Sequence, residues 1–263
     1  MALDLSTLKK TRADKPPRVL LYGPPGFGKT SLAAEFPNPV ILDIERGVPA
    51  GLEIVTLGDE IDDWSKVMEA LTALYTQEHD FKTLIVDSLD RLEVLAQRHV
   101  CKENKWANIE DAGYGKGYVI AADTMRNFLD GCNALRAARG MNIVYIAHSA
   151  VSRFDDPQAA SYSKYDIRLN KHVHGMFEDE VDAILFVNQD LSVKSEDVGF
   201  GKEVKRAEGG GFRWIYAEAR PSYNAKNRFG IPWRVKFDKG KGYAALAPYL
   251  PAQELHTKKK EDA

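Results

Sequence analysis

The first half of the chain alternates between short apolar runs and longer amphipathic segments. The apolar runs are rich in β-branched residues and are bounded by Gly, Asn, Asp or His, which is typical of strands buried on both faces. The segments between them place apolar residues three or four positions apart, which predicts helices. The predicted strands are Arg18–Tyr22, Val40–Leu42, Leu84–Val86 and Ile143–Ala147, and the predicted helices are Lys29–Phe36, Asp62–Gln77, Ser88–Glu103 and Tyr118–Arg139.

The pattern changes after His148, where a polar stretch, Ser149–His174, precedes three strand-like runs with few helix signals between them. We interpret these runs as antiparallel strands that extend the sheet, joined by a Gly-rich hairpin or loop at Glu208–Gly211. Together with the earlier alternation, this predicts an α/β fold: a mainly parallel central sheet flanked by helices, with antiparallel C-terminal strands. The three runs are Asp182–Asn188, Phe212–Glu218 and Trp233–Phe237.

The chain is long enough, at 263 residues with 44% hydrophobic positions, to bury one full core. Lys15-Pro16-Pro17 cannot continue a helix, so residues 1–17 are predicted to form an arm or linker. A single domain is expected over residues 18–250, followed by a flexible charged tail, 251–263. Neither a membrane-length apolar run nor a signal-peptide segment is present, so we expect a cytoplasmic protein without a membrane partner.

A glycine-rich segment between the first predicted strand and helix matches the phosphate-loop pattern G-x-x-x-x-G-K-[ST]. Its backbone N–H groups and the helix N-terminus are expected to bind phosphates, with Lys29 reaching the β- and γ-phosphates. A tight strand-to-helix turn without a ligand is the alternative. The motif therefore predicts bound Mg-ATP, although the base is not specified. The expected nucleotide contacts are Gly23, Pro24, Pro25, Gly26, Phe27, Gly28, Lys29, Thr30 and Ser31.

A carboxylate follows another predicted buried strand, at Asp87. Such a residue can hold the water shell of Mg²⁺, while the Thr30 hydroxyl ligates the ion directly. Alternatively, Asp87 caps the following helix, although Ser88 can serve as that cap. Thr30 and Asp87 are thus the predicted magnesium ligands.

The phosphate loop is shared with AAA+ ATPases, which usually place a catalytic glutamate next to the aspartate. Here that neighbour is Ser88, and Val-Asp-Ser resembles the RecA-type core instead. In that family the catalytic glutamate ends the strand after the phosphate-loop helix. The segment Val40–Glu45 occupies this place, so the resemblance implies that Glu45 orients and deprotonates the attacking water, with Asp43 as the second candidate.

Two further segments carry the same resemblance. His148 ends a strand where RecA-like proteins place a polar γ-phosphate sensor, although it could equally be a structural hydrogen-bonding residue. Ala225–Gly230 resembles a segment whose basic residues reach the neighbouring subunit's nucleotide, which implies that Lys226 and Arg228 neutralise transition-state charge in trans.

The nearest resemblance, over Arg18–Phe237, is to phage AAA-domain ATP-binding proteins that include RecA-core single-strand annealing recombinases. It implies a homo-oligomer, ring or filament, that binds single-stranded DNA, with a single-strand binding protein as a further candidate partner. No separate DNA-binding domain is expected in a chain of this length, which weakens the case for strand exchange as opposed to annealing.

Charge is distributed unevenly along the chain. Glu35–Glu93 holds 14 acidic and 4 basic residues, whereas Arg220–Lys241 holds 7 basic residues and one acid. The basic stretch is a candidate surface for polyanions, with an ordinary solvated surface as the alternative.

RecA-type cores hold single strands with two mobile loops, in which aromatic rings stack on bases and cations neutralise phosphates. The first candidate is Asn104–Lys116, unless Trp106 packs on the core and the loop only connects helices. The second is Ser149–His174, since loops of this length are uncommon unless functional or disordered; it could instead clamp a protein. The expected DNA contacts are Lys105, Trp106, Tyr114, Lys116, Arg153, Lys164, Arg168 and Lys171.

These features favour an oligomeric, DNA-stimulated ATPase of phage-type recombination or annealing. The alternative is a nucleotide switch, or a helicase-loader-like replication protein, with slow ATP turnover. A small-molecule kinase is less consistent with the sequence, because no Arg-rich lid is evident.

Overall fold

A computed structural model describes residues 15–57, 61–156, 160–197 and 203–251, without the side chains of 190–210. Most of the predicted N-terminal arm and charged tail lies outside these ranges. The strands are β1 (Arg18–Gly23), β2 (Pro39–Asp43), β3 (Val55–Thr56), β4 (Thr83–Asp87), β5 (Asn142–Phe154), β6 (Tyr162–Ile167), β7 (Ala183–Asp197), β8 (Glu203–Tyr216), β9 (Lys226–Asn227) and β10 (Arg234–Phe237). The helices are α1 (Lys29–Ala34), α2 (Trp64–Thr76), α3 (Leu89–Asn104), α4 (Lys116–Arg139), α5 (Lys171–Glu180) and α6 (Gly242–Leu246), with a 3-10 helix at Ile109–Ala112.

The central sheet has the order β10-β8-β7-β1-β5-β4-β2-β3. From β7 to β3 every neighbouring pair is parallel, whereas β8 is antiparallel to both β7 and β10. This confirms the predicted α/β architecture. Because β5 lies between β1 and β4, Gly23 pairs with His148, while Asp87 pairs with Asp43 on the other side of β4. The carboxyl ends of four strands therefore meet at one edge.

Helices cover both faces of the sheet, so each central strand is buried on two sides. One face packs against α2, α3, α4 and α5 through a cluster that includes Tyr22, Tyr145 and Phe128. The other face packs against α1 and α6 around Leu32 and Leu246. Burial of these apolar side chains provides the main stabilisation. In the described parts of the chain, no helix combines the length and apolarity required to cross a bilayer.

The expected loop at Glu208–Gly211 is wrong, because these residues lie inside β8. Residues 198–202, which connect β7 to β8, lie outside the described residues. Opposite the glycines, the pairing of β7 with β8 shifts register between Gln189 and Leu191. Glycine inside a strand often accompanies such an irregularity, so its presence here does not indicate a turn.

The polar stretch Ser149–His174 is not the predicted unstructured loop. β5 continues to Phe154 and pairs antiparallel with β6, forming a hairpin, and α5 follows. Asn170 caps α5 by accepting a hydrogen bond from the His172 N–H. The hairpin is polar because its outer half, from Val151 onwards on β5, is exposed rather than buried on two faces.

Candidate active site

The phosphate loop connects the end of β1 to the start of α1, as the motif requires. A Cβ built on Gly23 would lie 2.1 Å from the carbonyl oxygen of Val187, so only glycine allows the backbone of β7 to approach this closely. Gly28 precedes α1 with a left-handed φ of 84°, which favours glycine. The packing of β7 and the direction of α1 thus both fix the path of the loop.

Lys29 is a nearly buried cation, with 6% of its surface exposed. Its Nζ donates hydrogen bonds to the carbonyl oxygens of Gly23 and Pro24, both at 2.9 Å. Burial lowers the pKa of Lys29, whereas the nearby carboxylates of Asp87 and Glu45 act in the opposite direction. The ammonium group is therefore held against the phosphate loop, where it is expected to contact the phosphates.

The structure brings together the two predicted magnesium ligands. The Thr30 hydroxyl donates to Asp87 Oδ2 at 2.7 Å. Burial, together with the carboxylates of Glu45 and Asp43, raises the pKa of Asp87 to about 6, against the opposing effect of the Thr30 hydrogen bond. Two oxygen donors, one of them a buried carboxylate crowded by acids, suit a hard divalent cation that keeps waters and phosphate oxygens as other ligands.

Glu45 lies beside this pair, because its backbone N–H donates to the carbonyl oxygen of Asp87 at 3.0 Å. Its Oε1 lies 3.4 Å from Nε2 of His148. The competing Asp43 instead accepts a hydrogen bond from the Gly47 N–H at 3.2 Å, within its own turn. The two predicted catalytic residues Glu45 and His148 are therefore in contact, although Glu45 follows β2 and His148 lies on β5.

Asp90, which the sequence analysis missed, orients His148. Its carboxylate accepts hydrogen bonds from the backbone N–H and Nδ1 of His148, both at 3.1 Å, and from Arg168 at 2.6 Å. Burial alone would raise the pKa of Asp90, but these hydrogen bonds outweigh it and hold the pKa well below its usual range. The contact with Asp90 orients the imidazole so that Nε2 faces Glu45.

Arg213, on β8, is a second residue that the sequence analysis missed. A Cβ built on Gly28 would lie 3.0 Å from its Nη1, so the guanidinium group borders the phosphate loop. Among the described residues, Arg213 has no carboxylate partner. A strand nearly two hundred positions away thus supplies a cation to the phosphate side, which no local motif signals.

Lys226 and Arg228 lie at the opposite, amino edge of the sheet. Lys226 Nζ donates to the last carbonyl groups of α5. Arg228 Nη1 lies 3.3 Å from Asp182, which also pairs with Arg18 at the start of β1. β1 spans about 17 Å between this edge and Gly23. Neither cation can reach the phosphate loop of its own chain, and their action in trans stays a prediction.

The first predicted DNA loop is largely ordered. Lys105 ends α3, the 3-10 helix Ile109–Ala112 follows, and Lys116 opens α4. Tyr114 is fully exposed with a left-handed φ of 49°, whereas Trp106 is half-buried. An aromatic ring and two lysines therefore project from this connection. The connection itself is short and contains a capped 3-10 helix, so it is not an extended loop.

The four predicted DNA contacts of the second segment are spread over different elements. Arg153 and Lys164 lie opposite Ser163 and Ser152 on the β5–β6 hairpin, Arg168 binds Asp90, and Lys171 opens α5. A cleft of about 910 Å³ lies between this segment and α3. Both signs of charge line it, so it is not a uniformly positive groove. The residues include Asp90, Glu93, Asp166, Arg168 and Lys171.

A comparison with curated proteins finds no match. A comparison with protein families matches residues 15–229 to the AAA domain family, from just before β1 to just after β9. The matched segment contains the phosphate loop, Asp87 and the Glu45–His148 contact. The chain therefore belongs to the AAA domain family of P-loop ATPases.

Proposed function

We propose that this protein hydrolyses Mg-ATP as a homo-oligomer and couples hydrolysis to binding of single-stranded DNA, in phage-type recombination or annealing. The coupling rests mainly on β5, which runs without interruption from the buried core through His148 into the exposed hairpin. The same strand thus contacts the catalytic glutamate at its middle and carries Arg153 near its outer end.

Hydrolysis is assigned to Glu45. Its carboxylate accepts the proton of the attacking water, while the buried Lys29 and the guanidinium group of Arg213 balance negative charge on the phosphates. Thr30 and Asp87 would hold Mg²⁺, which would supply further charge neutralisation and polarise phosphate oxygens. His148, fixed by Asp90, holds Glu45 in position through Nε2.

Oligomerisation is supported by the position of Lys226 and Arg228. Both cations lie at the edge of the sheet opposite their own phosphate loop. A catalytic contact from them would therefore involve the nucleotide of an adjacent subunit. This arrangement makes turnover dependent on protein concentration.

Steady-state ATPase assays test the proposal across a protein dilution series, with and without an oligothymidine strand. We expect the rate per subunit to rise with concentration and with DNA, and Lys29→Ala to remove nucleotide binding. A slow rate that depends on neither would exclude the coupled ATPase and favour the nucleotide switch or loader. Transfer of phosphate to a metabolite would favour a kinase.

The in-trans role is tested by mixing two inactive proteins. Arg228→Ala subunits retain Glu45, whereas Glu45→Gln subunits retain Arg228, so mixed interfaces regain one complete site. We expect partial recovery of activity on mixing. Lys239→Ala, which removes an exposed cation from the same basic stretch, serves as the matched control and should not need complementation.

A further inference from the structure

A band of aromatic and cationic side chains lies on β8 and β10. Phe212, Trp214 and Tyr216 alternate along β8, so they share one face of the sheet. The register places Trp214 beside Lys236 and Tyr216 beside Arg234. β10 stands at the end of the described strand order, so this band borders an open edge. We call it the edge band and define it as Phe212, Trp214, Trp233, Arg220, Arg234 and Lys236.

Cations and rings alternate closely within the edge band. The guanidinium carbon of Arg234 lies 4.1 Å from the ring centroid of Trp214 and 4.4 Å from that of Trp233. Lys236 Nζ lies 3.3 Å from the centroid of the Phe212 ring. Stacking on the rings holds these cations in place beside the aromatic surface.

Two of the rings are well exposed, Phe212 at 50% and Trp233 at 42%. Exposed aromatic residues on one surface often mark an interaction site rather than ordinary surface. The surrounding segment, Arg220–Lys241, has 7 basic residues and a single acid. The edge band therefore combines exposed π-surface with an excess of positive charge.

We propose that the edge band is a binding surface for single-stranded nucleic acid. Unpaired bases stack on exposed rings independently of sequence, while interleaved cations neutralise the phosphates between them. A duplex presents mainly its phosphates, because its base faces are stacked internally, and would leave the rings unused. The inference rests on the proposed function only for the choice of DNA over RNA.

Ring contacts connect the edge band to the β5–β6 hairpin. Tyr165 on β6 forms a backbone bridge with Tyr223, whose ring centroid lies 4.9 Å from that of Tyr216. Tyr216 in turn lies 6.3 Å from Trp233. Because Tyr223 is buried, these contacts fix the edge band relative to the hairpin through the core.

Fluorescence anisotropy with labelled oligothymidine and oligouridine, over a series of salt concentrations, tests the inference on the full chain. We expect Trp233→Ala and Phe212→Ala each to weaken binding about tenfold, since each removes one stacking surface. Lys236→Gln should make the negative slope of log affinity against log salt shallower by about 0.7. Tyr75→Ala, at an equally exposed ring on α2, and Lys66→Gln, also on α2, are the matched controls.

The outcomes separate the inference from the proposed function. If the parent binds oligothymidine and all three edge variants bind as tightly with the same salt slope, the edge band is excluded while the proposed function stands. If the parent binds neither polymer, both are wrong. Preference for oligouridine supports the edge band but opposes DNA as the ligand. Equal affinity for polyglutamate of matched charge would overturn the inference, because stacking would then contribute nothing.

Photocrosslinking gives an independent readout. Oligonucleotides containing 5-iodouracil form covalent adducts with aromatic residues in contact with the base. We expect adduct peptides that contain Trp233 or Phe212. Adducts confined to residues 104–116 and 149–167 would contradict the inference.

Discussion

His148 contacts two carboxylates at once, Glu45 through Nε2 at 3.4 Å and Asp90 through Nδ1 at 3.1 Å. Glu45 follows β2 and Asp90 lies in the first turn of α3, so the imidazole joins two separate elements beside the phosphate loop. Any ligand that moves β5 would alter both contacts. The first two predictions follow from this relationship.

Glu45→Gln should reduce ATP hydrolysis by at least about 100-fold while leaving ATP affinity nearly unchanged, because the amide cannot accept the proton of water. Single-turnover assays and equilibrium titration with a fluorescent ATP analogue measure the two effects separately. Glu53→Gln, at an exposed acid on the same loop, is the matched control. Equal rates in the two variants would remove Glu45 from the catalytic role and return Asp43 to consideration.

His148→Asn should lower the DNA-stimulated rate about tenfold and the unstimulated rate much less. The variant loses the contact through which β5 positions Glu45, whereas Glu45 itself remains. The ratio of the two rates, measured across DNA concentrations, gives the coupling. A proportional loss in both rates would indicate that His148 supports catalysis without relaying DNA binding.

The parallel half of the fold and the phosphate site were predictable because their signals are local. A few consecutive residues are enough to recognise the buried β-branched strands, the loop from Gly23 to Thr30 and the carboxylate Asp87. Glu45 and His148 were predictable only through resemblance, because their contact joins two segments far apart in sequence. Asp90 and Arg213 escaped detection because their partners, His148 and the loop at Gly28, become neighbours only once the sheet forms.

The β5–β6 hairpin was mistaken for a loop for a related reason. Its outer half is exposed, so the apolar alternation that identifies a half-buried strand is missing from Val151 onwards. The glycines within β8 gave the opposite error, because they predict a turn although they lie inside a strand. In both cases the pairing partner, rather than the local sequence, decides the conformation.

Arg213→Ala should weaken ATP binding about tenfold, since a charge-assisted contact to phosphate contributes roughly 1.5–3 kcal/mol. The guanidinium group of Arg213 borders Gly28, and among the described residues it is the one side chain found within 4 Å of a Cβ built there. Titration with the fluorescent ATP analogue measures the loss, with Arg98→Ala on the exposed side of α3 as the matched control. Unchanged affinity would show that Arg213 only borders the loop.

Asp182→Asn should destabilise the folded protein by about 3 kcal/mol, because Arg18, Arg136 and Arg228 lose their shared counter-charge in a largely buried site. Urea denaturation measures the free energy of unfolding. Glu218→Gln removes one carboxylate from an exposed pair with Arg220 and should cost less than about 1 kcal/mol. Similar losses in the two variants would contradict the structural role of Asp182.

His174 should make stability depend on pH. The hydrogen bond to Asp166 raises the pKa of His174 against the effect of burial, and the carboxylates of Asp166 and Glu178 raise it further, whereas Lys164 opposes them. In the unfolded chain the pKa is about 6.5. The stabilisation is thus fully present below about pH 6.5 and is lost as pH rises through the higher pKa of the folded state.

Urea denaturation at about pH 6 and about pH 8.5 brackets this window. The parent should lose more stability between the two pH values than His174→Gln, which has no group to titrate there. His172→Gln, at the exposed neighbouring histidine of α5, is the matched control and should behave like the parent. An identical pH response in the parent and His174→Gln would contradict the prediction.

The unbroken course of β5 has a mechanical consequence. From His148 to Phe154 the strand extends about 20 Å, and pairing with β6 stiffens it into a two-stranded lever. A tilt of about 5° at the imidazole would displace the far end of the strand by about 2 Å. A displacement of this size is enough to make or break a hydrogen bond. Small rearrangements around the γ-phosphate can thereby be magnified at the tip without any hinge in between.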